Sequence, residues 1–287
     1  MKSGFVIFVG KTNVGKTSLI NCLLGEKIGI VSDKPQTTRF RTSFIESTEE
    51  YQIIYVDSPG VHNVKNLLHE RLNKKIFDSL DSFEIIVHVV NPTTVFDDFD
   101  IEIQKKIFNK RPRYLVVNKI DLVDVSNLNF DKSITSFYDR FFYTSTRKFI
   151  GINDLKNAII SDLSDGPMWY PKDMRTDMSK EMLVSEIIRE KVLNLVRQEV
   201  PHGVYVLIEK INEKQNLIYI EANIIVEKES HKPILIGHKG SMIKNIGIES
   251  RLEIEKIFGK KCVLKLFVSI EKNWRNKDSF LRRVGLW

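Results

Sequence analysis

Cysteine is nearly missing from this chain: Cys22 and Cys262 are the only two among 287 residues, far apart and without metal-ligand spacing. That excludes a disulfide framework and argues against a zinc site, and it fits a reducing compartment. Long apolar runs are missing too. None approaches the roughly 18 residues that a membrane-spanning helix needs, and the run Phe5–Val9 is too short for the core of a secretory leader. A cytoplasmic location is expected. Internal repeats and low-complexity tracts are likewise not found, so a solenoid is not expected.

What is present has the make-up of a folded protein, with 42% hydrophobic and 28% charged residues. At 287 residues, two medium domains are expected rather than one large core. The net charge is +7, and it is unevenly spread. Residues 1–179 carry 24 basic and 23 acidic side chains, whereas residues 231–287 carry 13 against 5. A local excess of that size attracts a phosphate backbone. It also leaves peripheral contact with the inner face of a cell membrane open.

Short Val- and Ile-rich runs recur at Phe5–Val9, Ile53–Val56, Ile85–Val90 and Tyr114–Val117, separated by helix-length polar-faced segments. Continuous apolar runs of this kind are buried parallel strands, so the first half is read as an α/β unit. Phe40–Ser47 alternates more and suits an antiparallel edge; Phe141–Tyr143 supplies a last strand before a helix at Ile152–Leu163. The stretch 165–179 holds Gly166, Pro167 and Pro171 without periodicity and reads as a linker between units 1–164 and 180–287. Beyond it the pattern predicts an α+β unit. A helix over Glu181–Val200 ends at Pro201, two strands follow at Val204–Ile211 and Leu217–Val226, and Pro233–Ile236 is a short apolar piece. A helix over Met242–Phe258 and a strand over Val263–Ile270 complete it.

Gly10-Lys11-Thr12-Asn13-Val14-Gly15-Lys16-Thr17 lies between the first predicted strand and a helix. Glycines there let backbone N–H groups wrap phosphates, Lys16 brings a cation to the β and γ oxygens, and Thr17 offers a hydroxyl to Mg²⁺. By chance the pattern occurs in about 1 of 100 chains of this length. Asp57-Ser58-Pro59-Gly60 follows a strand, where Asp57 can hold Mg²⁺ through water and the Gly60 N–H can meet a γ-phosphate. Asn118-Lys119-Ile120-Asp121 also ends a strand. Guanine offers an N1–H and an N2 amine to a carboxylate, whereas adenine would leave Asp121 unpaired, so GTP is expected over ATP.

These three motifs, in this order, resemble those of the translation-factor-related P-loop GTPases. The resemblance implies GTP/GDP and Mg²⁺ as cofactors. Thr38 resembles the switch threonine that joins the metal when a γ-phosphate is present, and Ser145 lies in what resembles the loop that meets the guanine carbonyl, although Thr146 stands where the family usually has Ala. The implied contacts are Gly10, Asn13, Val14, Gly15, Lys16, Thr17, Ser18, Asp57, Gly60, Asn118, Lys119, Asp121 and Ser145 to nucleotide. Thr17, Thr38 and Asp57 would hold metal, and Lys16, Thr38 and Gly60 would serve the chemistry. Val61 stands where many relatives carry a water-orienting glutamine, which predicts slow intrinsic hydrolysis. Asn13 resembles an asparagine that in some relatives helps hold K⁺ against the phosphates, and a simple turn residue explains it equally well.

In the second half, Ile236-Gly237-His238-Lys239-Gly240 sets two glycines between an apolar piece and a helix, with Lys244 one turn on. Such a loop lets backbone approach RNA phosphates closely while the helix and strand beside it offer a groove to bases. Together with Glu229–Pro233, Lys244–Gly247, Arg251 and Lys272–Arg275, it resembles the type II KH domain of the bacterial Era GTPases. Over nearly the whole chain the resemblance implies a GTP-hydrolysing switch, a monomer, that binds 16S ribosomal RNA and assists assembly of the small (30S) ribosomal subunit. Val61 keeps one alternative open, an RNA-binding scaffold whose nucleotide is structural and barely hydrolysed. Trp274 and Trp287 sit among cations, and packing of Trp274 against the sheet is the favoured reading of that residue.

Overall fold

The computed structural model describes residues 1–287 except 33, 35, 36, 61–65, 79, 95, 110, 111, 125, 127, 129, 131, 197–199 and 287. Val61 and Trp287 therefore lie outside the described residues. The chain forms two compact units, the first comprising Met1–Val31, Thr38–Lys65 and His69–Asp177 and the second formed mainly by Met178–Trp287.

In the first unit the apolar runs become strands β1 (Lys2–Val9), β3 (Tyr51–Asp57), β4 (Ile85–Val90), β5 (Arg113–Val117) and β6 (Arg140–Tyr143). With β2 (Thr42–Ser47) they form one sheet in the order β2-β3-β1-β4-β5-β6. Only β2 runs antiparallel, at the edge, beside β3. Every residue of β4 and β5 is buried, as expected for strands covered on both faces. Helices α1 (Lys16–Leu24), α2 (Leu67–Asp78), α3 (Asp98–Lys106), α4 (Lys132–Thr135) and α5 (Ile152–Asp162) connect them. Because β1 pairs with both β3 and β4, the connections leave it in opposite directions, and a crevice opens at the carboxyl ends of these strands.

The stretch read as a linker is instead anchored to the first unit as far as Asp177. Gln52, fully buried, accepts from the Trp169 and Tyr170 N–H groups at 2.7 and 3.0 Å and donates to Tyr170 O at 2.8 Å. Ile45 N–H donates to Arg175 O, and Asp177 N–H to Ser43 O, so the segment satisfies polar groups along the β2 edge. An edge strand left bare would template aggregation. The backbone bonds, rather than any sequence period, order this region.

The second unit contains α6 (Lys180–Leu195), β7 (Val204–Glu213), β8 (Leu217–Val226), α7 (His231–Ile236), α8 (Ser241–Phe258), β9 (Lys261–Ile270) and α9 (Asp278–Arg283). Its sheet runs β7-β8-β9, with β7/β8 antiparallel and β8/β9 parallel. Alternation along β8 sends Ile218, Ile220, Ala222, Ile224 and Val226 into a core shared with Val184, Ile187, Ile188 and Val192 of α6. Helix α6 ends at Leu195 instead of Val200, because Val196 turns extended with its side chain buried in that core. Trp274 is fully buried, its indole N–H donating to Gly203 O at 2.9 Å and its ring edge-on to Tyr205.

Candidate functional site

Four loops meet at the carboxyl ends of β1, β3, β5 and β6. After β1 the chain turns through Gly10 (φ 148°), Asn13 (φ 62°) and Gly15 (φ 96°) into α1. Left-handed backbone at Gly15 suits glycine, and a Cβ there would fall 2.4 Å from the Asn118 amide nitrogen, so no other residue fits. Helix α1 starts without a side-chain cap and without an acidic residue in its first turn. Its N–H groups and dipole favour an anion. Lys16 Nζ donates to the carbonyls of Gly10 and Lys11 at 3.1 and 2.9 Å, and burial pulls its ammonium down to about 8, opposed by Asp57. Ser18, next but one along α1, is half-buried, and Val14 is buried.

The oxygen atoms expected to hold metal converge. Thr17 Oγ1 donates to Asp57 Oδ2 at 2.5 Å, Thr38 Oγ1 to the same oxygen at 3.1 Å, and the two hydroxyls lie 3.0 Å apart. Asp57 Oδ1 is buried without a hydrogen-bond partner. Burial pushes this carboxyl above its usual range against the opposing pull of Lys16 and the hydroxyls. A buried carboxylate oxygen with two hydroxyls beside it is a donor set suited to Mg²⁺, a hard cation that takes oxygen ligands. Gly60 comes next: a Cβ on it would lie 2.6 Å from Thr12 Cα and 2.7 Å from Thr12 N, so only glycine lets this segment close on the phosphate loop.

Asp121 accepts from Ser145 Oγ at 2.6 Å, and this bond, helped by Arg147 and Lys148, holds its carboxyl below the usual range. It is therefore an ionised acceptor. Ser145 N–H donates to Ile150 O at 3.0 Å, so the backbone contact expected of this residue is already taken, and its hydroxyl orients the Asp121 carboxylate.

Asn118, expected at the nucleotide, has structural bonds of its own. Fully buried, it donates from Nδ2 to Val14 O at 3.0 Å and accepts from Thr144 Oγ1 at 3.2 Å, while Lys119 Nζ donates to Asn13 O at 2.7 Å. These bonds tie the base loop to the phosphate loop. Sequence reading assigned Asn118 and Lys119 to nucleotide and missed Thr144, for which the pattern carried no signal.

A family model described as 50S ribosome-binding GTPase matches residues 5–119, and a KH domain model matches residues 199–275. GTPase Era of Thermoanaerobacter pseudethanolicus is 42% identical over 294 residues, covering 99% of this chain and 96% of that protein. The chain belongs to the Era GTPase family. GTPase Era of Halothermothrix orenii is also 42% identical, over 99% of this chain and 98% of its own length. Among solved structures, an Aquifex aeolicus Era variant bound to GDP and tetrafluoroaluminate has a TM-score of 0.92 at 34% identity, covering 100% of this chain and 99% of that one. An Era complex with MgGDPNP and nucleotides 1506–1542 of 16S ribosomal RNA has a TM-score of 0.90 at 33% identity, with the same coverage. The chain is accordingly a GTPase whose parallel-sheet domain precedes a KH domain.

In the KH unit, Gly237 (φ 74°) and Gly240 (φ 79°) bracket the loop after α7. A Cβ on Gly237 would lie 2.7 Å from Met242 N, so the loop can fold back only with glycine. Ile236 is half-buried, whereas His238, Lys239 and Lys244 are exposed. Beside them α8 and β9 form an open cleft of about 390 Å³ lined by Ile243, Lys244, Gly247, Ile248, Arg251, Leu264 and Leu266. An apolar floor with two cations at its rim can receive bases and their phosphates. Among the described residues there is no cluster of metal-ligating side chains of the His, Cys and carboxylate kind, and no helix long and apolar enough to cross a membrane.

Proposed function

We propose that this protein is a GTP-driven switch that binds the 3′ end of 16S ribosomal RNA through its KH cleft and assists assembly of the small ribosomal subunit, acting as a cytoplasmic monomer. Support for the RNA comes from the related Era that carries nucleotides 1506–1542, and from the two exposed cations and apolar cleft of this chain's own KH unit. The observation that carries the switch is the convergence of the Thr17 and Thr38 hydroxyls on one oxygen of Asp57 while its other oxygen is buried without a hydrogen-bond partner.

Lys16 and the N-terminal amides of α1 bind the phosphates, and Asp121 accepts from the guanine N1–H and N2 amine. Thr17, Thr38 and Asp57 would hold Mg²⁺, which when bound would supply positive charge to the phosphates. Thr38 and Gly60 respond to the γ-phosphate, Thr38 through its hydroxyl and Gly60 through its N–H, so both are released when it leaves. Val61 cannot orient the attacking water, which keeps intrinsic turnover slow. Asn13, at the loop's left-handed corner, would help hold a K⁺ ion against the phosphates. Equal turnover in K⁺ and Na⁺ buffers would remove that last element.

RNA affinity measured with GDP and with a non-hydrolysable GTP analogue tests the reading. A nucleotide-dependent affinity is expected, and identical affinities would overturn it. Val61 also favours a second reading, a scaffold whose nucleotide is structural. Single-turnover hydrolysis with and without small ribosomal subunits separates the two, because only the switch is accelerated.

A further inference from the structure

Behind the phosphate loop lies a buried polar chain that none of these roles uses. Lys11, directly after Gly10, donates to Asp100 Oδ2 at 2.7 Å and to Asp97 Oδ2 at 3.0 Å. Asp100 is 1% exposed, and its other oxygen lies 3.2 Å from Nε2 of His88, which is fully buried in β4. His88 Nδ1 is in turn 2.6 Å from the Tyr138 hydroxyl, and the rings of Phe96 and Tyr138 flank the imidazole.

Burial pushes His88 below its ordinary value, and burial keeps the proton on Tyr138. An ionised Asp100 can only accept, so a neutral His88 donates to it from Nε2 and leaves Nδ1 to accept from the Tyr138 hydroxyl. Burial works against the Asp100 carboxylate, yet hydrogen bonds from His88 and Lys11 hold it below the usual range. Asp100 Oδ2 also accepts from the Asp97 N–H at 3.2 Å, closing the capping box of α3. Both carboxylate oxygens are thus fixed, and with them the Lys11 ammonium.

The remaining five residues of β4 are Ile or Val, so an apolar side chain would suit position 88 for packing alone. Burying a polar group is costly unless every partner is in place. Lys11 is not a passive end of the chain either. Its carbonyl accepts from Lys16 Nζ, and Thr12, which follows it, is the residue against which Gly60 closes. The Lys11–Thr12 leg therefore stands between the carboxylates of α3 and the glycine assigned to the γ-phosphate.

We infer that His88, acting through Asp100 and Lys11, is a positioning residue that sets the leg of the phosphate loop against which Gly60 closes, and so favours GTP over GDP. This rests on the nucleotide site proposed above. Residues 13–17 are reached only indirectly, through the Lys11 carbonyl that accepts from Lys16, whereas Thr12 faces Gly60 directly, so loss of the Lys11–Asp100 bond falls mainly on the γ-phosphate.

The test uses the full chain with Mg²⁺ and compares affinities for GDP and a non-hydrolysable GTP analogue, alongside thermal unfolding. His88→Phe removes the bond to Asp100 while filling the space, and it should weaken the analogue about tenfold with GDP changed less than about twofold. His88→Gln, which can donate to Asp100 again, should recover most of that loss. Lys11→Met should reproduce the selective loss, and the double variant should lose no more than Lys11→Met alone, since the two substitutions break one chain. Should His88→Phe not fold, Lys11→Met decides by itself. Equal weakening of GDP and analogue, no weakening in Lys11→Met, or additive losses in the double variant would overturn the inference. Failure of the unmodified chain to bind GDP would instead strike at the nucleotide site itself.

Discussion

Asn118→Ala separates a residue that merely meets the base from one that braces two loops. The substitution deletes the bond from Nδ2 to Val14 O and the bond accepted from Thr144 Oγ1, at 3.0 and 3.2 Å, in a position with no solvent exposure. Two net hydrogen bonds, and two buried groups left without partners, amount to about 2–4 kcal/mol. Alanine keeps the backbone bond from Asn118 N–H to Val90 O, so β5 itself should hold. The brace exists without nucleotide, and part of the loss must then appear in the nucleotide-free chain. About 2 kcal/mol there lowers the melting temperature by roughly 4–8 °C.

The remainder falls on binding, because Val14 sits in the phosphate loop and its carbonyl would lose a fixed position. A further 1–2 kcal/mol corresponds to about 5- to 30-fold weaker binding, equal for GDP and GTP since the brace stands away from the γ-phosphate. Fluorescent-nucleotide titration and differential scanning calorimetry on chain stripped with chelator supply both numbers. An unchanged melting temperature with weakened nucleotide would refute the brace and leave Asn118 a base contact only. Loss confined to the GTP analogue would refute it equally.

Asp121→Asn should move preference from guanosine toward xanthosine triphosphate with little change in stability, because the amide donates where the ionised carboxylate only accepts; competition binding with both nucleotides checks it, and retained guanine selectivity would contradict the role of Asp121. Gly237→Ala places a Cβ 2.7 Å from Met242 N at a left-handed backbone position, so RNA affinity should drop about 5- to 150-fold, for a strain of about 1–3 kcal/mol, while GTP binding stays unchanged. Glu213 is pulled down to about 2 by Lys180 and then Lys260. Its folded value lies below the unfolded one, so its stabilisation is present above about 4.3 and lost as pH falls toward 2. Glu213→Gln should therefore flatten acid unfolding in that window, and because the carboxylate is exposed the difference should shrink in high salt.

The candidate nucleotide site was legible in the sequence wherever a residue type stands at a fixed offset from a strand end. Gly15, Lys16 and Thr17 sit within one turn of chain, and their spacing survives folding unchanged. Asp57 and Asp121 were readable for the same reason, each closing or following a Val- and Ile-rich run whose direction is forced by burial on both faces. The loop from Gly237 to Gly240 followed the same rule. Its two glycines mark left-handed backbone, which few other residues adopt.

What could not be read depends on partners far apart along the chain. Asn118 meets Val14 across 104 residues, and Gln52 orders Trp169 and Tyr170 across about 117, so neither the brace nor the anchored segment leaves a local period. His88 is the sharpest case. A histidine inside IIVHVV reads as one polar lapse in a buried strand, and its meaning appears only when Asp100 and Tyr138 arrive from two other elements. Asp97 and Asp100 did carry a local signal, the spacing of a capping box, but that spacing marks the start of a helix and says nothing of Lys11. A buried polar side chain must be satisfied somewhere, and the identity of that somewhere is a property of the tertiary fold. Polar residues inside otherwise apolar strands are therefore the positions where a sequence announces a function without naming it.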